Sequence, residues 1–276
     1  MPCRIAQGRE KAIRCWHESK CHDSNIFLTL TYRDEDCPAR LDYSHFQKFM
    51  KDLRERLSRD VKVKDDSYIS FMVTGEYGEK TKRPHWHVIL FNYEPTDAVY
   101  SYSTELGEKV FTSEFLDELW GRGFCNFGSV TMDSASYVAR YAAKKLVHGK
   151  DDEHEFHPIH KTSKGRAIGR SWIEKNWRFT FENGFVILPN GEKASVPRYY
   201  VDWLKRERPS DYDAYVCGVR NEMCLKAEAS ARKEELEFLS SIMSYVPAGG
   251  YPSRRCDVKH RILKNKFKRL QERLSL

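Results

Sequence analysis

The chain has 276 residues, 40% of them hydrophobic and 13% aromatic, which is enough for a packed core and too much for a disordered chain. Its 47 Lys and Arg exceed its 40 Asp and Glu by seven charges, and from Tyr251 onward nine basic residues face only Asp257 and Glu272. No apolar run is long enough to span a membrane, MPCRIAQGRE lacks the apolar centre of a secretory leader, and the eight cysteines follow no disulfide-framework rhythm.

In chain order, Cys3 to His22 reads as a helix with Ile13 and Trp16 on its apolar side. Ile26 to Tyr32 is rich in β-formers and bounded by acids, so it reads as a strand. Ser44, with Gln47 three residues on, reads as the capped start of a helix to about Arg59, with Phe46, Phe49, Met50, Leu53 and Leu57 on one side. Tyr68 to Thr74 predicts a second strand and Gly75 to Pro84 a polar connection. His85 to Phe91 predicts a third strand, antiparallel to the second. Ser113 to Trp120 reads as a short helix stopped by Gly121 and Gly123, and Phe124 to Val130 as a fourth strand. Asp133 reads as the N-cap of a helix through Tyr137, Tyr141 and Leu146 to about His148. Gly149 to Lys164 reads as a polar loop. Beyond it, Arg178–Phe181, Phe185–Leu188 and Lys193–Val196, with turns at Glu182-Asn183-Gly184 and Pro189-Asn190-Gly191, suggest a small β meander. Asp211 to Tyr245 is helical and acidic, and a basic tail follows Pro252.

The chemistry concentrates in Arg83-Pro84-His85-Trp86-His87. On a strand, residues i and i+2 share a face, so His85 and His87 project side by side as half of a divalent-metal site. A hard oxygen donor should complete it. Glu76 returns beside the pair if the second and third strands form a hairpin, and Glu79, deeper in the connection, is the competitor. On the later helix, at about 100° per residue, Tyr137, Tyr141 and Lys144 fall on one face. Two phenols beside an ammonium suit nucleophilic attack on phosphate, because the cation favours the phenolate and the charge developing on phosphate oxygens. A metal held by the histidines would polarise the scissile phosphate.

These residues, in this order, resemble the HUH endonucleases, the rolling-circle replication initiators and relaxases. The nearer likeness is to the initiators of single-stranded DNA bacteriophages, the gokushovirus branch of the microviruses. It rests on Arg14-Cys15 with His17-Glu18, the first strand, the block from Gly75-Glu76-Tyr77-Gly78 to His87, Tyr137 to Lys144, and Pro197-Arg198-Tyr199-Tyr200. It covers roughly residues 11 to 205. The resemblance implies an α+β fold, a central antiparallel sheet of about five strands flanked by helices; the sequence pattern adds a mixed C-terminal extension and a basic helical tail. It implies His85, His87 and Glu76 as ligands of Mg²⁺ or Mn²⁺, Tyr137 and Tyr141 as nucleophiles, and Lys144 as the motif lysine. It implies nicking of single-stranded DNA at a replication origin through a 5′-phosphotyrosine, in the cytoplasm of an infected bacterium, with host helicase and polymerase as partners. Arg140 stands where related initiators often carry a lysine between the tyrosines.

The expected domains are a nuclease domain at 1–148, a loop at 149–164, an extension at 165–250 and the tail at 251–276. Arg140, Lys145, Arg254, Arg255, Lys264 and Lys268 are candidate DNA contacts. Cys15, His17, Cys21, His22 and Cys37 offer a weaker zinc reading, at spacings that match no established finger. A cupin-type oxygenase would need an acid nearer to the second histidine than Glu94. A relaxase, a transposase or a non-enzymatic single-strand-binding module are the remaining alternatives.

Overall fold

A computed structural model describes residues 2–60, 68–78, 81–104, 107–144, 158–242 and 254–274; the side chains of 2–5, 60, 140–144, 263 and 266–274 are outside the description. The chain divides into two compact units, residues 1–180 with 185–203, and residues 181–184 with 204–276.

The first unit is built on a seven-stranded antiparallel sheet, two strands more than expected. The strands are β1 (Asn25–Thr31), β2 (Ser70–Tyr77), β3 (Pro84–Phe91), β4 (Val99–Ser103), β5 (Lys109–Thr112), β6 (Cys125–Ser129) and β7 (Ile159–Thr162). Their order across the sheet is β4-β5-β6-β1-β3-β2-β7. Sequence pattern missed β4, β5 and β7. Every residue of β4 is exposed, so that strand has no apolar alternation to read. Four-residue β7 occupies the end of the segment expected to be loop, and residues 149–157 lie outside the described residues.

Strand alternation divides the sheet into two faces. Leu28, Leu30, Val73, Trp86, Val88 and Phe127 pack under helices α2 (Tyr43–Asp60) and α3 (Glu114–Trp120), against Phe46, Phe49, Leu53, Leu116 and Trp120. Met72, Ile89 and Phe91 pack on the other face, under α1 (Pro2–Ser19) and α4 (Met132–Lys144), against Ala12, Cys15, Ala135, Val138 and Ala139. Small residues on α4 let this helix lie close to the strands.

Two helix starts differ from the sequence expectation. Helix α2 is capped by Asp42, whose carboxylate accepts the Ser44 N–H at 2.8 Å, so Ser44 lies inside the first turn. At α4 the cap is Thr131, whose hydroxyl accepts the Ser134 N–H at 3.1 Å while Ser134 Oγ accepts the Thr131 N–H at 2.8 Å. Asp133 sits in the first turn instead, where a negative charge suits the helix N-terminus. At α3 the expectation holds: Ser113 caps it and Gly121, at φ 61°, ends it in the left-handed region.

The expected meander is reduced to one hairpin, β8 (Phe185–Ile187) with β9 (Lys193–Ser195). Arg178–Phe181 belong instead to helix α5 (Arg170–Asn183), in which Ile173 and Phe181 are buried. Helix α6 (Arg198–Glu207) follows. An aromatic clamp ties this extension to α1. The His17 ring stacks on Trp172 at 3.6 Å, and its Nδ1 lies 2.9 Å from the Tyr200 hydroxyl. Arg14 donates to the Ile168 carbonyl and lies over the Tyr199 ring, and Glu18 accepts the Gly169 N–H at 2.7 Å.

The second unit is helical: α7 (Pro209–Tyr215), a π-helical turn at Val216–Arg220, α8 (Asn221–Ile242) and α9 (Arg255–Leu274). The basic tail is therefore the helix that was expected. Arg255 and Lys259 of α9 pair with Glu234 of α8.

A candidate metal centre beside a tyrosine helix

Strands β2 and β3 form the expected hairpin, but the strands run further into it than their apolar residues suggest. Gly75, Glu76 and Tyr77 are strand, not connection. Their register sets Glu76 opposite His85 and Thr74 opposite His87. Directly opposed residues point to the same face, so Glu76 joins both histidines on the α4 side of the sheet. Trp86, between them, points to the core and is fully buried. Its ring lies over Gly75, where any side chain would collide with it. The sequence thus alternates ligand, core, ligand, and Gly75 makes room for the core residue between them.

The three side chains converge. His87 Nε2 lies 2.8 Å and His85 Nε2 3.3 Å from Glu76 Oε1. One ligand atom from each lies within 4.8 Å of the others, and no other such group occurs among the described residues. Side-chain exposure is 8% for Glu76, 12% for His87 and 21% for His85, so the group opens toward His85. Burial pushes the His87 pKa below its ordinary value, against the pull of Glu76.

The donor chemistry fits a cation. His85 Nδ1 lies 3.3 Å from the Arg83 carbonyl oxygen, which can only accept, so Nδ1 carries the proton. Nε2 and the Glu76 carboxylate then face one point, where the lone pair of a neutral ring and a carboxylate oxygen can share a positive ion. His87 Nδ1 is held by the Thr29 hydroxyl at 3.0 Å, which fixes the ring with Nε2 toward Glu76 Oε1. Two imidazoles and one carboxylate suit a divalent ion with open positions.

Tyr137 completes the arrangement. Its hydroxyl donates to Glu76 Oε1 at 2.9 Å. Its ring meets His87 edge-on at 5.0 Å and Phe27 at 6.4 Å, which fixes the phenol over the ligands. Tyr141 and Lys144 lie further along α4 and Arg140 between them and Tyr137, with side chains outside the described residues; Lys145 and Glu79 lie outside altogether. Arg254 and Lys264 are exposed, Arg255 is held by Glu234, and the Lys268 side chain is outside the description.

Sequence reasoning did not find the supports. Thr29 was visible only as one of several threonines in β1. His160, expected in a loop, lies in β7 with its Nδ1 2.9 Å from the Thr74 hydroxyl, which donates to the Val138 carbonyl of α4. The N-terminal cysteines and histidines do not assemble. Cys15 lies against Met72 Sδ, Cys21 on the His17 carbonyl, Cys37 on the Pro38 carbonyl and His22 on Glu18, while His17 is inside the aromatic clamp.

An antiparallel sheet that presents a His-x-His pair and a carboxylate to a tyrosine helix is the class that the HUH resemblance implies. Comparison with known proteins agrees. A family model described as "Replication-associated protein ORF2/G2P" matches residues 25–146. "Replication-associated protein VP4" of Bdellovibrio phage phiMH2K is 52% identical over 277 residues, all of this chain and 88% of that protein. "Replication-associated protein ORF4" of Chlamydia phage 1 is 30% identical over 90% of this chain and 65% of that protein. "Replication-associated protein ORF2" of Spiroplasma virus 4 is 28% identical over 76% and 67%. The chain belongs to the phage replication-associated proteins. No solved structure matches it.

Proposed function

We propose that this replication protein starts rolling-circle replication by nicking single-stranded DNA at an origin and holding the cut strand on a tyrosine. The observation that carries the reading is the hydrogen bond from the Tyr137 hydroxyl to Glu76 Oε1, the oxygen that both histidines face. A phenol has no reason of packing alone to stand over two imidazoles and a carboxylate.

The Tyr137 oxygen attacks the scissile phosphorus, and the bond from phosphorus to the 3′-oxygen breaks. The phenol loses its proton to solvent as its oxygen bonds to phosphorus, because the Glu76 carboxylate that positions it is committed to the cation. The 3′-oxygen takes up a proton and becomes the primer hydroxyl, while the 5′ end stays on the tyrosine as a phosphodiester. When bound to Glu76, His85 and His87, Mg²⁺ or Mn²⁺ supplies Lewis-acid polarisation of the phosphate. Tyr141, one turn on, serves as the second nucleophile for the returning strand, and Lys144 favours the charge on the phosphate oxygens. Arg140, Lys145, Arg254, Lys264 and Lys268 neutralise phosphates along the strand; Arg255 contributes least because Glu234 already holds it. Unwinding and synthesis fall to a host helicase and polymerase in the cytoplasm of the infected bacterium.

The test is a denaturing gel of the protein with single-stranded DNA from the genome that encodes it, in Mn²⁺ or in chelator. A metal-dependent covalent adduct, lost when Tyr137→Phe is combined with Tyr141→Phe, is the expected result. An adduct that survives the double substitution would overturn the tyrosine assignment.

A further inference from the structure

The metal-site face of the sheet continues past His85 to a residue the proposed chemistry does not use. His85 is paired with Thr31 of β1, and the Thr31 N–H donates to the Phe124 carbonyl at 3.0 Å, extending the β1–β6 ladder by one residue. Phe124, Thr31, His85 and Glu76 therefore lie in one line across four strands. Cys125, next in sequence, is buried in the core of the opposite face, so alternation turns the Phe124 ring to the metal side. Asn126, paired with Thr29, lies on that same side one step inward.

Phe124 is 67% exposed, the most exposed aromatic residue among those described. It is not on a loose loop. The Thr31 hydroxyl also donates to the Phe124 carbonyl at 3.0 Å, the Cys125 N–H donates to Asp117 Oδ1 at 2.7 Å, and the Arg33 N–H donates to the Arg122 carbonyl at 2.8 Å. Gly123 lies so close to β1 that a Cβ there would collide with the Thr31 carbonyl oxygen. The backbone is pinned on three sides while a large apolar ring is left to solvent. Helix α4 packs over the Met72 and Ile89 level of the sheet, and ligand exposure rises from Glu76 to His85, so the site opens toward Phe124.

We propose that Phe124 is a stacking platform for a nucleobase beside the scissile phosphate, with Asn126 placed to meet the edge of that base. The proposal rests on the nicking function above and adds to it where the strand lies. Two strand spacings separate Phe124 from His85, on the order of 10 Å, a gap that the sugar and base of a neighbouring nucleotide can bridge. A phenyl face stacks on any base, and alanine substitution at such platforms lowers affinity roughly 5- to 160-fold.

The experiment measures binding of a fluorescein-labelled single-stranded 20-mer in chelator, so that no cleavage occurs. Phe124→Ala and Phe124→Leu should each weaken binding about tenfold, and Phe124→Trp should restore it, with unchanged thermal unfolding because the ring is exposed. A 5-iodouracil-substituted 20-mer should photo-cross-link to the peptide carrying Phe124. Equal binding by wild type and Phe124→Ala, or equal loss in Leu and Trp variants, would overturn the platform. The adduct gel reports separately on nicking: a wild type that forms the adduct while Phe124→Ala binds normally defeats this proposal alone. A wild type that forms no adduct defeats the nicking function, whatever the binding shows.

Discussion

Two histidine groups in the first unit look alike in sequence and have opposite fates. Near the N-terminus, His17 has His22 and three cysteines within reach along the chain; in β3, His85 and His87 have only each other. The richer cluster makes no metal group among the described residues, and the poorer one does. The difference is what each ring meets in space. His17 is enclosed by Trp172 and Tyr200, and burial takes its pKa down to about 3. His85 and His87 meet a carboxylate, each with its Nδ1 held by an oxygen, so both present Nε2 to one point. A metal centre needs convergent lone pairs and a negative charge, whereas a count of ligand-type residues says little.

Removing the shared carboxylate should have the largest effect. Glu76→Ala should reduce Mn²⁺ affinity by at least about 100-fold in calorimetry, since a direct ligand exceeds the 10- to 100-fold effect of its supports. Retained binding would mean that the histidines do not use Glu76. The matching change in the clamp, His17→Ala, should leave Mn²⁺ affinity alone and lower stability by about 2–4 kcal/mol, through the cavity left between Trp172 and Tyr200. A lowered Mn²⁺ affinity with an intact melting transition would contradict its structural role.

Acid should separate the groups next. Unfolded, His17 binds a proton near its ordinary pKa of 6.5; folded, it binds one only near 3. Its contribution to stability is therefore complete above pH 6.5 and is lost as the pH falls, by about 1.4 kcal/mol per unit, until about pH 3. Urea unfolding of wild type and His17→Phe between pH 7 and 4 should show the steeper loss in wild type. Parallel slopes would mean that the ring is protonated in the folded protein. The smallest effect belongs to the support of His87. Thr29→Val keeps the shape of the strand and removes the oxygen at Nδ1, so Mn²⁺ affinity should fall about tenfold with little change in melting temperature.

The elements around the candidate metal site were legible because their signals are local. The β-forming runs of β1 and β3, and the spacing of Phe46, Phe49 and Leu53 in α2, show themselves within a few residues. Gly75 to Tyr77 were not legible as strand, because glycine and a charged residue break the apolar pattern that burial on one face would otherwise reveal. Strands β4 and β7 failed for a related reason: an exposed edge and a short polar strand are held by their neighbours' backbone, which leaves no mark in their own side chains. Helix α5 was misread because its aromatics suit either period.

In the sequence alone, the pairing of His85 with His87 on one strand face and the tyrosine helix follow from repeats of two and of 3.6 residues, while Glu76 was a candidate there, with Glu79 as its competitor, only on the condition of a hairpin. Strand register and helix packing set Glu76 against His85, bring Tyr137 to the same carboxylate from 61 residues away, and enclose His17 with residues more than 150 positions later. Those outcomes depend on which elements pack together, and packing is settled by the whole set of apolar faces at once.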